Sequence, residues 1–388
     1  MSDASFNRGL TWDYFSAAIT QSEGQCPAEF ADVPAALQFL RGVLGEDYVE
    51  QANRMYAHPF LGLAVFSWPG LRQQFLNWIG HVHSLQDCTN VRQVLDDLRL
   101  PTKAAHAYAL LEASGQLLQQ GFRISFEPKT NTDDFPFRPD ALVELPATGE
   151  KLYLEVSCQS LTQRQVSAFD AMAACEHPVK EHFEVLKCSF RLRRIPAPEH
   201  LDELTDQIRV AVQTVLSSGH LVEVEDNGVL SMGICRRDNT QELDMWRAAH
   251  GIHFEGYEGP VDSVNEIDEL KRKMRSKQKQ LPRGYPNLLY IENHHAFSHY
   301  PVSVFHLDLQ EELFQHSNLA FVLVRGSNGS GREEVSEFRS YGEHRFERRV
   351  SEGHVRHTLL LSNRFTEFVP SNHLAKLVTQ SFLSSGAI

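Results

Sequence analysis

Apolar positions recur at three- and four-residue spacing through the first hundred residues, in PAALQFLRGVLGEDYVEQANRM (34–55), GLRQQFLNWIGHVHSLQ (70–86) and TNVRQVLDDLRL (89–100). That period gives each segment one apolar stripe, so a helical subdomain over residues 1–100 is expected, ending near Pro101. TKAAHAYALLEASGQLLQQG (102–121) predicts a further helix, with Thr102 as N-cap and Gly121 as its stop. Beyond it the period shortens to two. FRISFEP (122–128), RPDALVEL (138–145) and KLYLEVSCQ (151–159) read as strands, the last two joined through the short loop PATGE as a hairpin. More strands are expected at EVLKCSFRLRRI (184–195), GVLSMGIC (228–235), NLLYIEN (287–293) and LAFVLVRG (319–326), with helices near 199–218 and 263–281 between them. RGSNGSGREE (325–334) reads as a flexible loop. The expectation is an α/β protein whose residues 101–388 form one domain with insertions.

Composition narrows the class. The 388 residues are 42% hydrophobic, enough for a large core. The longest apolar run, FLGLAVFSW (60–68), is too short to span a bilayer and no leader pattern precedes it, so a cytoplasmic protein without a membrane segment is expected. Six cysteines without a CxxC pair indicate neither a zinc knuckle nor a disulfide framework. A formal net charge of −13 argues against general affinity for nucleic acid, yet KRKMRSKQK (271–279) carries six basic residues and no acid. Lys271, Arg272, Lys273, Arg275 and Lys279 are its candidate phosphate contacts. RLRR (191–194) and RFERR (345–349) are smaller patches of the same kind, and all three compete with the plainer reading of a solvated face.

The candidate chemistry is acidic. Asp140 begins the second strand after Pro139 and Glu155 is expected to end the third, so two antiparallel strands joined by a short loop bring their carboxylates together. Such a pair suits Mg²⁺ or Mn²⁺, which takes few carboxylate oxygens, keeps water in its shell and neutralises a phosphoryl group. Glu112, at the edge of the stripe of the preceding helix, is a candidate third ligand or outer partner.

The segment from Glu112 through RPDALVEL and KLYLEVS resembles the PD-(D/E)XK superfamily. The resemblance implies a restriction-endonuclease-like core: a helix, three antiparallel strands, a crossover helix and a strand, here behind the helical N-terminal subdomain. It also implies a metal-dependent nuclease with nucleic acid, most often DNA, as partner. Pro139, Asp140 and Glu155 follow the pattern, whereas Ser157 stands where the family carries a lysine that positions or activates the attacking water. The helix at 263–281 offers a replacement. Its stripe of Val264, Ile267, Leu270, Met274 and Leu281 leaves Lys277 and Gln278 at the borders, and as the crossover before NLLYIEN it can point Lys277 toward Glu155. Migration of the lysine to a neighbouring element is known in such relatives. The plainer reading is a snorkelling lysine.

Two functions follow from this reading. One is a nuclease in which Asp140 and Glu155 bind metal, Lys277 or another basic residue orients the water beside Ser157 and the basic helix tracks phosphates, with prokaryotic defence against foreign DNA as one setting. The other is an inactive module of the same fold that binds nucleic acid or a protein partner; either can oligomerise. His294, His295 and His299 in ENHHAFSH (292–299) are minor candidates for zinc. No HExxH, GxSxG or Walker-type loop is present.

Overall fold

The computed structural model describes residues 11–20, 25–49, 69–100, 103–127, 139–158, 163–182, 184–226, 228–252, 257–259, 266–292, 302–331, 335–341, 344–351 and 353–383. In chain order its helices and strands are α1 (Trp12–Thr20), α2 (Val33–Leu44), α3 (Pro69–Ser84), α4 (Val91–Asp97), α5 (Ala104–Gln119), β1 (Arg123–Phe126), β2 (Ala141–Leu145), β3 (Glu150–Cys158), α6 (Gln163–Lys180), β4 (Leu186–Leu192), α7 (Pro198–Ser218), β5 (Val222–Asp226), β6 (Leu230–Arg236), α8 (Thr240–Ala249) and β7 (Tyr257–Glu258). They continue with α9 (Glu266–Lys277), β8 (Asn287–Glu292), α10 (Val302–Leu313), β9 (Phe321–Gly331), β10 (Val335–Tyr341), β11 (His344–Ser351), β12 (Gly353–Ser362) and α11 (Asn372–Phe382). Among the described residues, no helix is long and apolar enough to cross a membrane. FLGLAVFSW and the histidines of ENHHAFSH lie outside the described residues.

The chain divides into two compact units, one of Leu161–Ser263 and one of Gly9–Ser160 with Val264–Ile388. The boundary expected near Pro101 is therefore corrected. The stripes of α1 to α4 (Phe15, Leu40, Trp78, Val94) share one core with Leu111 of α5 and Leu154 of β3, so these helices belong to the sheet's own unit.

That unit holds an eight-stranded mixed sheet in the order β1-β2-β3-β8-β9-β12-β11-β10. Strands β1, β2 and β3 are antiparallel, β3, β8 and β9 run parallel, and β9, β12, β11 and β10 are antiparallel. The parallel centre is where the sequence is most continuously apolar, because both faces are covered. Leu152, Leu154 and Val156 of β3 enter the core shared with α3 and α5. Tyr153 faces the other way, into a second core built with Ile267, Leu270 and Met274 of α9, Leu289 and Ile291 of β8, and Leu309 of α10. Since successive side chains of a strand point to opposite faces, Glu155 and Ser157 share the face of Tyr153, beneath α9.

Turn chemistry fixes the ends of these elements. Gly149, at φ +71°, closes the turn between β2 and β3, and Gly121, at φ +87°, ends the run after α5; both values lie where a Cβ is unfavourable. Thr102 lies outside the described residues, and the residue flanking α5 is Lys103, whose side chain makes no capping bond. The loop expected over 325–334 is corrected: β9 continues to Gly331, its extension paired with β12. The patch at 345–349 lies within β11.

The second unit carries a four-stranded sheet in the order β5-β6-β4-β7. Met172 of α6 and Leu204 and Ile208 of α7 pack with Phe190, Met232 and Ile234 of its strands. Trp246 of α8 packs with Cys235, and a Cβ on Gly233 would stand 2.7 Å from the Trp246 ring.

Candidate active site

Strand register brings the two carboxylates together. Ala141 pairs with Leu154, so in an antiparallel ladder Asp140, one residue earlier, stands opposite Glu155, one residue later. Glu155 is interior to β3 rather than at its end, which corrects the expected position. Asp140 Oδ2 accepts a hydrogen bond from the Val156 backbone N–H at 2.7 Å and meets His106 Nε2 of α5 at 3.2 Å. A carboxylate held by a backbone amide and a ring N–H has a fixed direction.

Glu155 is 2% exposed. Its Oε1 accepts from Lys277 Nζ at 2.6 Å, and the same ammonium donates to Gln280 Oε1 at 3.0 Å. Lys277 is the last residue of α9, and Gln280 closes the 3-10 turn Gln278–Gln280 that follows. The second carboxylate oxygen, Oε2, is buried without a hydrogen-bond partner among the described residues, as is Ser157 Oγ on the same face. Two buried oxygens with no donor are costly unless something else satisfies them. Burial and the neighbouring Asp140 charge push Glu155 up to about 7, against the opposing pull of Lys277 and His106. For His106, burial disfavours the charged ring, but the bond to Asp140 outweighs it and the net direction is upward.

Glu112 stands apart from this site, and its expected role as a third ligand is corrected. It lies on α5, which packs against the face of β3 that carries Leu154, opposite the face of Glu155. Its Oε1 accepts from Arg325 Nη1 at 3.0 Å and from Arg356 Nη2. These two guanidiniums overcome burial and hold Glu112 down to about 2, so its charge is already committed.

The basic helix is also less free than its sequence suggests. Lys271 pairs with Asp308 at 3.4 Å, Arg272 with Glu269 at 2.7 Å, and Arg275 with Glu312 at 2.8 Å. Lys273 sits one turn before Lys277 and is half-buried, with burial moving its ammonium down from the usual lysine value. Lys279 is exposed.

Sequence reasoning overlooked His106. A histidine in the first turn of a helix is an ordinary residue, and only the fold, which brings that turn within reach of Asp140, gives it a task. Among the described residues, three potential ligand side chains converge at Glu223, Glu225 and His250 of the second unit, their ligand atoms within 4.8 Å of one another. There His250 Nε2 is 2.9 Å from Glu223 Oε1, a contact that accounts for the grouping.

Neither a known family model, a curated protein nor a solved structure matches the chain.

Proposed function

We propose that the chain is a divalent-metal-dependent nuclease of the restriction-endonuclease-like class, acting on phosphodiester bonds, with DNA as the substrate. In this reading α5, β1, β2, β3, the crossover helix α9 and β8 are the catalytic core, and Leu161–Ser263 is inserted between β3 and α9. The observation that carries the reading is the hydrogen bond from Lys277 to Glu155: a lysine separated by 122 residues in sequence reaches the carboxylate beside which Ser157 replaces the family's lysine.

The donors suit a hard cation. Asp140 and Glu155 supply carboxylate oxygens, and the buried, unpartnered Glu155 Oε2 and Ser157 Oγ are oxygen as well. Asp140 and Glu155 would hold Mg²⁺ or Mn²⁺. When bound, the ion lowers the pKa of a coordinated water and neutralises phosphoryl charge.

The protein's own groups orient the reaction. Val156 N–H and His106 hold Asp140 in place, and Lys277 favours the anionic form of Glu155, opposing the burial and the Asp140 charge that raise it. The Lys277 ammonium, tethered by Gln280, provides a positive charge for the attacking water, an interaction worth most in the transition state. Lys273 and Lys279 are the remaining candidates for phosphate contact along α9 and its extension.

The test is cleavage of end-labelled single- and double-stranded DNA and RNA with Mg²⁺, Mn²⁺ or EDTA. DNA cleavage that requires the cation and is lost in Asp140→Asn supports the reading. Cleavage that survives EDTA, or an Asp140→Asn protein of undiminished rate, overturns it.

A further inference from the structure

Beside the carboxylate face lies a cluster of exposed rings that the proposed chemistry does not use. Tyr153 shares the face of Glu155, two residues away along β3, and its ring meets that of Tyr285 edge to face at 5.2 Å. Tyr285 is 40% exposed. It sits in the loop between the 3-10 turn Gln278–Gln280, whose Gln280 tethers Lys277, and β8. Phe368 continues the cluster, its Cζ 3.8 Å from the place that a Cβ on Gly284 would take. In the same loop as Phe368, between β12 and α11, Phe365 is 54% exposed.

Both loops are fixed to one turn of the chain. The Thr366 hydroxyl and the Glu367 N–H each donate to Ser317 O at 2.9 Å, and Asn318 Nδ2 donates to Gln278 O at 2.9 Å. The rings are therefore presented to solvent by a bonded scaffold, which lowers the ordering cost of binding through them. A cluster of exposed rings on such a scaffold indicates an interaction surface.

Charge indicates the partner. Residues 278–286 and 363–370 carry Lys279, Arg283 and Arg364 against a single acid, Glu367, in a chain of net charge −13. All three bases are exposed, and none has an ion pair among the described residues. The Arg364 guanidinium lies over the rings of Phe314 and Phe365, at 5.3 and 4.8 Å, which keeps its N–H groups beside an exposed ring. Glu367 Oε1 already accepts from the Ser317 hydroxyl at 2.6 Å. Rings interleaved with unpaired cations suit a chain that offers free base faces and phosphates together. Only a single strand does so, because duplex bases are stacked on one another. An apolar protein segment would cover the rings and leave the three cations unmatched.

We propose that this strip binds single-stranded DNA, with bases stacking on Tyr285, Phe368 and Phe365 and phosphates meeting Lys279, Arg283 and Arg364, and so leads a single strand to the Asp140–Glu155 site. That the strand is the substrate rests on the nuclease reading; the binding itself does not.

The test is fluorescence anisotropy of the full chain in EDTA with a labelled oligothymidylate and with a duplex of the same length, so that no metal-dependent cleavage is read. The single strand should bind more tightly than the duplex. Phe365→Ala and Tyr285→Ala should each weaken single-strand binding about fivefold or more, and Tyr285→Trp should retain it. Arg364→Gln should lower the salt slope by about 0.7; this exposed residue and Phe365 keep the test valid if Tyr285→Ala does not fold. Duplex binding as tight as single-strand binding, or undiminished binding in Phe365→Ala, would overturn the proposal. Self-association of the chain that is lost in Phe365→Ala while DNA binding is unchanged would assign the strip to a protein contact and overturn it too. Strip-dependent binding without metal-dependent cleavage would uphold this proposal and remove the nuclease reading alone.

Discussion

Replacing Glu112 by Gln isolates the energy of the buried ionic cluster. The carboxylate is ordinarily near 4.5 and is held near 2 in the folded protein, a difference of about 2.5 pH units. At ~1.36 kcal/mol per unit, this corresponds to about 3 kcal/mol of stability at neutral pH. The sign follows from the lowered folded value: the contribution is complete above about 4.5 and is lost as pH falls from there toward 2. An independent route gives the same scale, since removing one member of a buried ion pair costs about 3–5 kcal/mol by leaving the other charges uncompensated. Here two guanidiniums would lose their common acceptor, Glu112 Oε1. Urea unfolding of wild type and Glu112→Gln at pH 7, at pH 4.5 and at the lowest pH where both remain folded reads the difference directly. The expected gap is about 3 kcal/mol at pH 7, narrowing as the solution becomes more acidic. Cleavage per folded molecule should be unchanged, because Glu112 lies on the other face of the sheet from Glu155. A gap under about 1 kcal/mol at pH 7, or one that widens in acid, would refute the reasoning.

Three further outcomes are expected. Glu155 has a folded value near 7, above its ordinary 4.5, so its favourable contribution is lost as pH rises through that window; in EDTA, thermal melts of Glu155→Gln should gain on wild type between pH 5 and pH 8, and a constant offset would contradict this. Lys277→Ala should lower turnover by about 10²-fold with little change in substrate affinity, and Ser157→Lys should partly restore it; normal single-turnover rates in Lys277→Ala would remove the lysine from the mechanism. Lys273→Ala and Lys279→Ala should each reduce the salt dependence of DNA binding by a slope of about one, whereas Lys271→Ala, whose ammonium already meets Asp308, should change it less; equal slopes for all three would contradict the pairing.

Sequence pattern is most informative where local chemistry decides structure. Strands β3, β8 and β9 are legible because a strand covered on both faces must be apolar along its length. The end of α5 is legible because Gly121 adopts a left-handed φ. Lys277 is legible because helical geometry places it beside the stripe of Leu270 and Met274, so its reach over the sheet follows once α9 is the crossover. The strands β11 and β12 escape, since HRFERRVS and GHVRHTLLLS mix charge with apolar residues at no clean period. Their ion pairs, such as Arg356 to Glu112 across 244 residues, are set by tertiary packing. Glu112 is misread for the same reason. Helix α5 is buried nearly all round, between the sheet and α3, so its stripe has no border that could mark Glu112 as facing away from Asp140. Nor can the stripes of α1 to α4 announce that they pack into the sheet's unit.

Mn²⁺ binding followed by electron paramagnetic resonance tests the proposed active site most directly, because it needs no knowledge of the substrate. Wild-type protein should remove free Mn²⁺ signal saturably, Mg²⁺ should compete, and both Asp140→Asn and Glu155→Gln should lose that binding while retaining the wild-type circular dichroism spectrum. Mn²⁺ binding of equal strength in wild type and both variants, or its absence from wild type, would contradict a metal site built on Asp140 and Glu155.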